Sequence, residues 1–351
     1  MRARELGLAC GALPAGERNS IADVPGVTVG HATIAEGAVL TGVTAVLPHD
    51  GDLFTDRPVA ASYVLNGFGK SIGLMQLEEL GWLETPILLT NTFGVGTCAN
   101  ALIRRAVRDN PEIGRRTSTV NPVVMECNDW YLSDIQAMAV TEAHADAAIE
   151  AAGEDFATGA VGAGTGMSCF GLKGGVGSAS RRLRLDGADW HLGVLVLANF
   201  GRSGDLRLPD GRRIDPEAGL GSGSRAGQGE PPVAEAGSCI IVLGTDIPLE
   251  HRQLVRVAKR AGVGLAWCGS FWGNGSGDIA VAFTTANRVP AEADAAFLEQ
   301  RVLVEAGIDR LFQAAAEATQ EAVLDALAGA ETIVGRVGHR RVGLADLLGR
   351  G

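Results

Sequence analysis

The chain has 351 residues, 46% of them hydrophobic, and a formal net charge of −11. That supplies apolar material for one large or two medium domains. The acidic balance, with basic runs no longer than Gly-Arg-Arg at 211–213 and His-Arg-Arg at 339–341, argues against nucleic acid, which needs clustered cations.

Taken in chain order, Ile21–His31 reads as a short strand around a Pro-Gly turn, Ala38–Leu47 as a better one, and Ala60–Leu65 as a third ending at Asn66-Gly67. Lys70–Leu83 has helical spacing at Ile72, Met75, Leu77 and Leu80. Pro86–Leu89 predicts a strand and Thr97–Arg108 a helix stopped by Asn110-Pro111. Val120–Met125 is a further strand, Thr141–Ala152 an alanine-rich helix, and Trp190–Ala198 a strong strand. Gly201–Ala236 is poor in apolar residues and rich in Gly, Ser, Arg and Pro, the composition of a linker or functional loop. After it come a strand (Ser238–Leu243), a helix (Leu249–Trp267), a strand (Asp278–Phe283) and a long helix (Ala291–Ala328) with Gly307 as a candidate break, then a tail, Gly335–Gly351, expected to be weakly ordered apart from Leu344–Leu348. Strands and helices in mixed order point to a layered α+β fold rather than a doubly wound sheet.

No apolar run approaches the ~18 residues of a membrane helix. Glu5 interrupts Met1–Gly16, whose apolar part is too short for a signal peptide. The expectation is a soluble, cytoplasmic protein. The six cysteines form no C-x-x-C pair and read as small buried hydrophobes of a reducing compartment. The six histidines are scattered without H-x-x-x-H or H-E-x-x-H spacing, so no zinc site is expected.

The chemistry concentrates at the end of the linker, in Pro231-Pro232-Val233-Ala234-Glu235-Ala236-Gly237-Ser238-Cys239-Ile240-Ile241. A buried strand starts there, and Ser238 follows a glycine. Were the chain to cut itself between Gly237 and Ser238, Ser238 would carry a hydroxyl nucleophile and an amine base on one residue. A serine hydroxyl needs a base within hydrogen-bond reach, and a free α-amino group, with a pKa near ~7.7–8.0, is suited to that work at neutral pH. Gly-Ser occurs six times in the chain, and such pairs are mostly turns. The junction of linker and strand singles out this one.

Three other stretches carry polar groups toward possible chemistry. In Asn274–Asn287, strand alternation puts Ser276 and Asp278 on one face and Ile279, Val281 and Phe283 on the other. A hydroxyl beside a carboxylate can orient an amine, and a polar exposed turn is the plainer reading. Asn199, ending the Leu195–Gly201 strand, is either a turn former or a donor to a developing oxyanion. Met125–Asp134 sets Glu126, Asp129 and Asp134 beside Trp130 and Tyr131, as solvated loop charges or as a pocket for a cationic amine.

Gly69-Lys70-Ser71 lacks the first glycine of a phosphate loop, since Val64 stands there, and Met167 stands where the third glycine of a dinucleotide fingerprint belongs. Gly69-Lys70-Ser71-Ile72-Gly73 does match G-x-S-x-G, which leaves an α/β-hydrolase using Ser71, with downstream aspartates and His339, as a rival.

Taken jointly, Ile21–Ile34, Asn66–Leu74, Glu126–Ile135, Gly162–Arg182, Ala198–Gly201, Gly237–Leu249 and Ser276–Asn287 resemble the DmpA-type L-aminopeptidase/D-esterase family, which includes the β-aminopeptidases. The similarity runs from about residue 20 to about residue 330. It implies a four-layer αββα sandwich and one hydrolase domain cut into an α fragment, 1–237, ending in the linker 201–237, and a β fragment, 238–351. It also implies Ser238 as nucleophile, Gly237 as the last residue before the cut, Ser276 and Asp278 supporting the new amine, and Asn199 as oxyanion donor. Some relatives have Glu where this chain has Asp278. Tyr131 matches a tyrosine assigned to the active site in some members, and Glu126 resembles the carboxylate that holds the substrate's amino group. The activity implied is a serine aminopeptidase acting on short peptides, amides or esters, without metal or organic cofactor, assembled from four processed αβ units. A nylon-oligomer hydrolase of the same fold, whose nucleophile is threonine, and a non-catalytic binding protein are the alternatives.

Overall fold

The computed structural model describes residues 1–217, 235–293 and 295–349; the linker positions 218–234, Pro231 and Pro232 among them, lie outside these. In chain order the elements are β1 (Thr28–Glu36), β2 (Val39–Leu47), β3 (Asp56–Gly67), α1 (Leu74–Leu80), β4 (Ile87–Asn91), α2 (Val95–Asp109), β5 (Val123–Cys127) and α3 (Glu142–Glu150). The short pair β6 (Ser168–Cys169) and β7 (Leu172–Lys173) precedes the long hairpin β8 (Gly175–Leu185) and β9 (Ala188–Asn199). After the small ladder β10 (Leu206–Arg207) and β11 (Arg213–Ile214) come β12 (Ala236–Thr245), α4 (His251–Cys268), β13 (Gly275–Pro290), α5 (Asp309–Ala328), the ladder β14 (Ile333–Val334) and β15 (Arg340–Arg341), and α6 (Leu344–Leu347).

Two sheets stack face to face, one in the order β1-β2-β4-β5 and the other β3-β13-β12-β9-β8. Strand alternation sorts their side chains into three apolar layers. Val43, Ala45, Leu88 and Val124 meet the inner faces of α2 and α3. Val46, Leu89, Met125, Leu197, Ile240 and Val281 fill the space between the sheets. Ile241, Leu243, Val196, Ala280 and Ala282 pack against α4 and α5. The result is the expected four-layer αββα sandwich.

The strand β8 escaped the sequence reading because it is built from glycine and serine rather than from β-branched residues. The close approach of α5 explains that composition: a Cβ on Gly177 would stand 2.0 Å from the Ala322 carbonyl oxygen. The expected helix over Ala291–Ala328 begins only at Asp309. The segment before it gives its carbonyls elsewhere, Arg301 accepting from Asn287 Nδ2 at 2.8 Å and Leu303 from Gln253 Nε2 at 2.7 Å. The first strand also starts later than expected, at Thr28, after a 3-10 turn at Ile21–Asp23 that Ser20 caps.

The N-terminal segment is pinned to α5 by buried charge. Arg181, with no exposure, reaches Glu317 at 3.2 Å and Glu321 at 2.9 Å. Arg4 also pairs with Glu321, and Arg2 with Asp325 at 2.7 Å. Among the described residues no helix is long and apolar enough to cross a membrane.

Candidate active site

The strand β12 runs between β9 and β13, antiparallel to the first and parallel to the second. Its register puts Ser238 directly across from Asn199. Ser238 shares a face with Ile240 and Val242, which belong to the layer between the sheets. It therefore opens toward the end of β5, and Cys127 Sγ contacts its carbonyl at 3.4 Å. The residue is 3% exposed. Its hydroxyl donates to the Gly237 carbonyl oxygen at 2.5 Å.

Gly237 is a conformational requirement. Its φ of +132° and the 2.1 Å that would separate a Cβ from the Asn199 carbonyl oxygen leave room only for glycine. Two residues earlier, the buried Glu235 accepts from Ser270 Oγ at 2.6 Å, Phe271 N at 3.1 Å and Gly273 N at 3.3 Å. The chain is thus held immediately ahead of the Gly237–Ser238 bond.

The side chain of Asn199 is fixed at both ends. Its Oδ1 accepts the Ser168 N–H at 2.8 Å and its Nδ2 donates to the Asn128 carbonyl at 2.9 Å. A backbone N–H can only donate, so the amide orientation follows from the bond. An amide nitrogen carries two hydrogens, and the second is left for an oxygen in the cavity. The loop that supplies Ser168 is braced by the buried Lys173, whose ammonium donates to the carbonyls of Gly164, Met167 and Gly174 at 2.9, 2.9 and 2.7 Å. Burial pulls this lysine down to about 7.

Asn199, Gly237, Ser238, Glu126 and Tyr131 line one cavity of about 480 Å³, a volume typical of small-ligand sites. Glu126, the last residue but one of β5, is almost wholly buried; it accepts the Lys70 backbone N–H at 2.8 Å and the Thr92 hydroxyl. Tyr131 lies in the wall opposite, stacked on His339 with centroids 4.4 Å apart and 14° between planes.

Ser276 and Asp278 are completely buried and lie behind this cavity. As alternation requires, they share a face, the one that carries Ala280 and Ala282 toward α4 and α5. The Ser238 hydroxyl points to the opposite face. The parallel register nevertheless brackets Ser238, pairing Gly237 with Ser276 and Cys239 with Asp278. Among the described residues neither Asp278 oxygen, nor the Ser276 hydroxyl, completes a hydrogen bond. Burial drives the Asp278 carboxyl up to about 7; the facing Ser276 hydroxyl and Cys239 amide pull it back, and Glu235 adds to the rise through space.

Ser71 has no such setting. Its hydroxyl accepts the Glu126 N–H at 3.3 Å, while His339, the histidine a triad would need, gives its Nδ1 to the Tyr131 carbonyl at 2.7 Å. Sequence reasoning missed several contributors to the cavity, among them Lys70, Thr92, Asn128, Ser168 and Arg341. Asn128 and Ser168 lay inside motifs already singled out. Arg341 appeared only as part of a short basic run, and the tail that carries it, expected to be weakly ordered, is a hairpin docked on the Trp130–Leu132 turn. There Arg336 N donates to the Leu132 carbonyl at 2.9 Å, and a Cβ on Gly335 would meet that same oxygen at 2.1 Å. Among the described residues no group of three or more His, Cys, Asp or Glu is gathered as a metal site.

A four-layer sandwich with a glycine-serine junction at the head of a central strand defines a class of hydrolases, and comparison with known proteins agrees. Residues 19–341 match Peptidase family S58. The chain is 36% identical to the β-peptidyl aminopeptidase BapA of Sphingosinicella microcystinivorans, over 96% of this chain and 88% of that one. Its structure superposes on the PH0078 protein of Pyrococcus horikoshii with a TM-score of 0.90 at 45% identity, covering 99% and 98% of the two chains. It superposes on the L-aminopeptidase D-Ala-esterase/amidase of Ochrobactrum anthropi, a prototype serine aminopeptidase with a variant of the Ntn hydrolase fold, at 0.87 and 32% identity, covering 99% of each. The chain belongs to Peptidase family S58, the DmpA/BapA group, and is a hydrolase of the aminopeptidase class.

Proposed function

We propose that the chain cleaves itself between Gly237 and Ser238 and then works as an N-terminal serine aminopeptidase. The observation that carries this reading is the contact of the Ser238 hydroxyl with the Gly237 carbonyl at 2.5 Å, made with Asn199 directly across the sheet. The hydroxyl oxygen attacks the Gly237 carbonyl carbon, the peptide nitrogen leaves as the Ser238 amine, and water hydrolyses the resulting ester. The domain thereby becomes an α fragment, 1–237, and a β fragment, 238–351.

In the processed enzyme the Ser238 amine takes the hydroxyl proton as the oxygen attacks the substrate carbonyl. Asn199 Nδ2 donates to the oxyanion, the leaving amine receives the proton, and water releases the acyl group. Ser276 and Asp278 hold the amine from behind, and Glu126 takes the substrate's free ammonium group. Tyr131 lines the wall of the same cavity. The names of the relatives support short peptides, amides or esters as substrates, with a β-amino residue at the N-terminus among those accepted. The resemblance also supports an assembly of four processed units.

A denaturing gel tests the first step. Of 351 residues, the pieces expected are 237 and 351 − 237 = 114 residues long. N-terminal sequencing of the small piece should read Ser-Cys-Ile-Ile, and Ser238→Ala should stay whole. Turnover of aminoacyl p-nitroanilides should accompany processing. A single full-length band from fully active wild type would sink the proposal, and intact, inactive protein that still binds amines would favour a binding module.

A further inference from the structure

The cavity holds opposite charges on separate supports. Glu126 is fixed by the Lys70 amide and the Thr92 hydroxyl at the end of β5. Arg341, on the C-terminal hairpin, also lines the cavity. Its guanidinium carbon sits 3.7 Å above the Tyr131 ring, and that ring is held from the hairpin by stacking on His339. The hairpin is anchored on both sides, by Arg336 N on the Leu132 carbonyl and by Lys173 N on the Val342 carbonyl, each at 2.9 Å.

This arginine has the Tyr131 side chain as a hydrogen-bond partner and Glu217 acting through space, which leaves part of its fork of donors unused. Its Nε is buried without a hydrogen-bond acceptor among the described residues. Such a group costs stability unless something else uses it. Burial pulls it down from the usual arginine range, while Tyr131 and, through space, Glu217 hold it up. It remains a cation, since arginine does not deprotonate in proteins. A planar guanidinium with open donors, stacked on a ring, is suited to a carboxylate, which it can grip through two parallel bonds.

We propose that Arg341 is a specificity residue that binds a carboxylate on the leaving portion of the substrate, so that the cavity selects zwitterionic dipeptides held by their ammonium at Glu126 and their C-terminal carboxylate at Arg341. This rests on the aminopeptidase reading above and deepens it. Arg341 and Glu126 are not ion-paired with each other, so the space between them is available to a ligand that bridges the two. An extended dipeptide spans about 7 Å from end to end, and the cavity of about 480 Å³ has room for it.

The test compares a dipeptide with its C-terminal amide, using processed wild type, Arg341→Met and Arg341→Lys. Wild type should favour the free acid by about 10- to 100-fold in kcat/KM, the range of a charge-assisted bond, and the preference should sit in KM. Arg341→Met should erase the ratio and Arg341→Lys should restore part of it. A gel of each variant, showing complete processing, guards against misfolding. Equal kcat/KM for acid and amide in wild type, or an undiminished ratio in Arg341→Met, would overturn the carboxylate subsite while leaving the aminopeptidase standing. Failure of processed wild type to hydrolyse either compound would overturn both.

Discussion

Ser238 and Asn199 stand opposite each other across the antiparallel pair of β12 and β9, with their side chains on the same face. The residues proposed as nucleophile and oxyanion donor are therefore held by one sheet register rather than by loops. Because Asn199 is bonded at both Oδ1 and Nδ2, its remaining hydrogen has a set direction. Asn199→Ala should lower kcat by about 100- to 1,000-fold with little change in KM, the usual loss for one oxyanion-hole donor. Steady-state kinetics on processed protein measure this, and a loss confined to KM would place Asn199 in substrate binding instead.

Gly237→Ala should leave the chain uncut. The added Cβ would meet the Asn199 carbonyl at 2.1 Å, and φ there is +132°, so the scissile carbonyl must move away from the Ser238 hydroxyl. A local cost of about 1–3 kcal/mol accompanies a side chain forced into that region. Time-resolved gels after expression read the effect; cleavage at the wild-type rate would count against the geometry.

The buried Asp278 makes the stability of the intact chain pH-dependent. Its folded pKa, about 7, lies above the ordinary value of 3.8. A carboxyl raised in this way binds its proton more tightly when folded. The stability it contributes is complete below pH ~4 and is lost as pH rises through about 7. Uncut Ser238→Ala protein should accordingly be destabilised between those limits by several kcal/mol, at about 1.4 kcal/mol per pH unit. Asp278→Asn in that background should flatten the profile. Urea titrations across the range decide it, and a flat parent profile would mean that the carboxyl already has a partner.

The Arg181 network behaves in the opposite sense. Burial would raise Glu321, but the Arg4 hydrogen bond, the Arg181 charge and the Asn19 amide outweigh it and hold its carboxyl below the usual range. Stability from this group is present above its unfolded pKa and is lost as pH falls through the folded value. Arg181→Met removes the cation and leaves Glu317 and Glu321 buried, which should cost about 3–5 kcal/mol. Chemical denaturation at neutral pH measures that cost, and the penalty should shrink in acid.

Local pattern was legible wherever local chemistry decides. Alternation along β12 and β13 predicts which residues share a face, and the three apolar layers follow it. The Gly-Ser junction, the Asn at the end of β9 and the acid near the end of β5 could each be picked out from neighbouring residues alone, because each sits close to a strand end, the first where β12 begins and the others where strands stop. Glycine spacing at β8 was illegible for a physical reason: the strand is small-residued to admit α5, a fact about another element more than a hundred residues away.

What the amino-acid order determined by itself was the set of strand faces and the acidic, apolar character of the chain; it also singled out Gly237-Ser238 among six Gly-Ser pairs as the candidate junction. Tertiary structure alone decided which polar groups meet. Side-chain periodicity is local, but sheet register and hairpin docking come from burial of surfaces far apart in the chain. Register set Asn199 opposite Ser238 and placed Ser276 and Asp278 behind it. Docking of the C-terminal hairpin brought Arg341 over Tyr131, at the wall of a cavity whose other charge lies on β5.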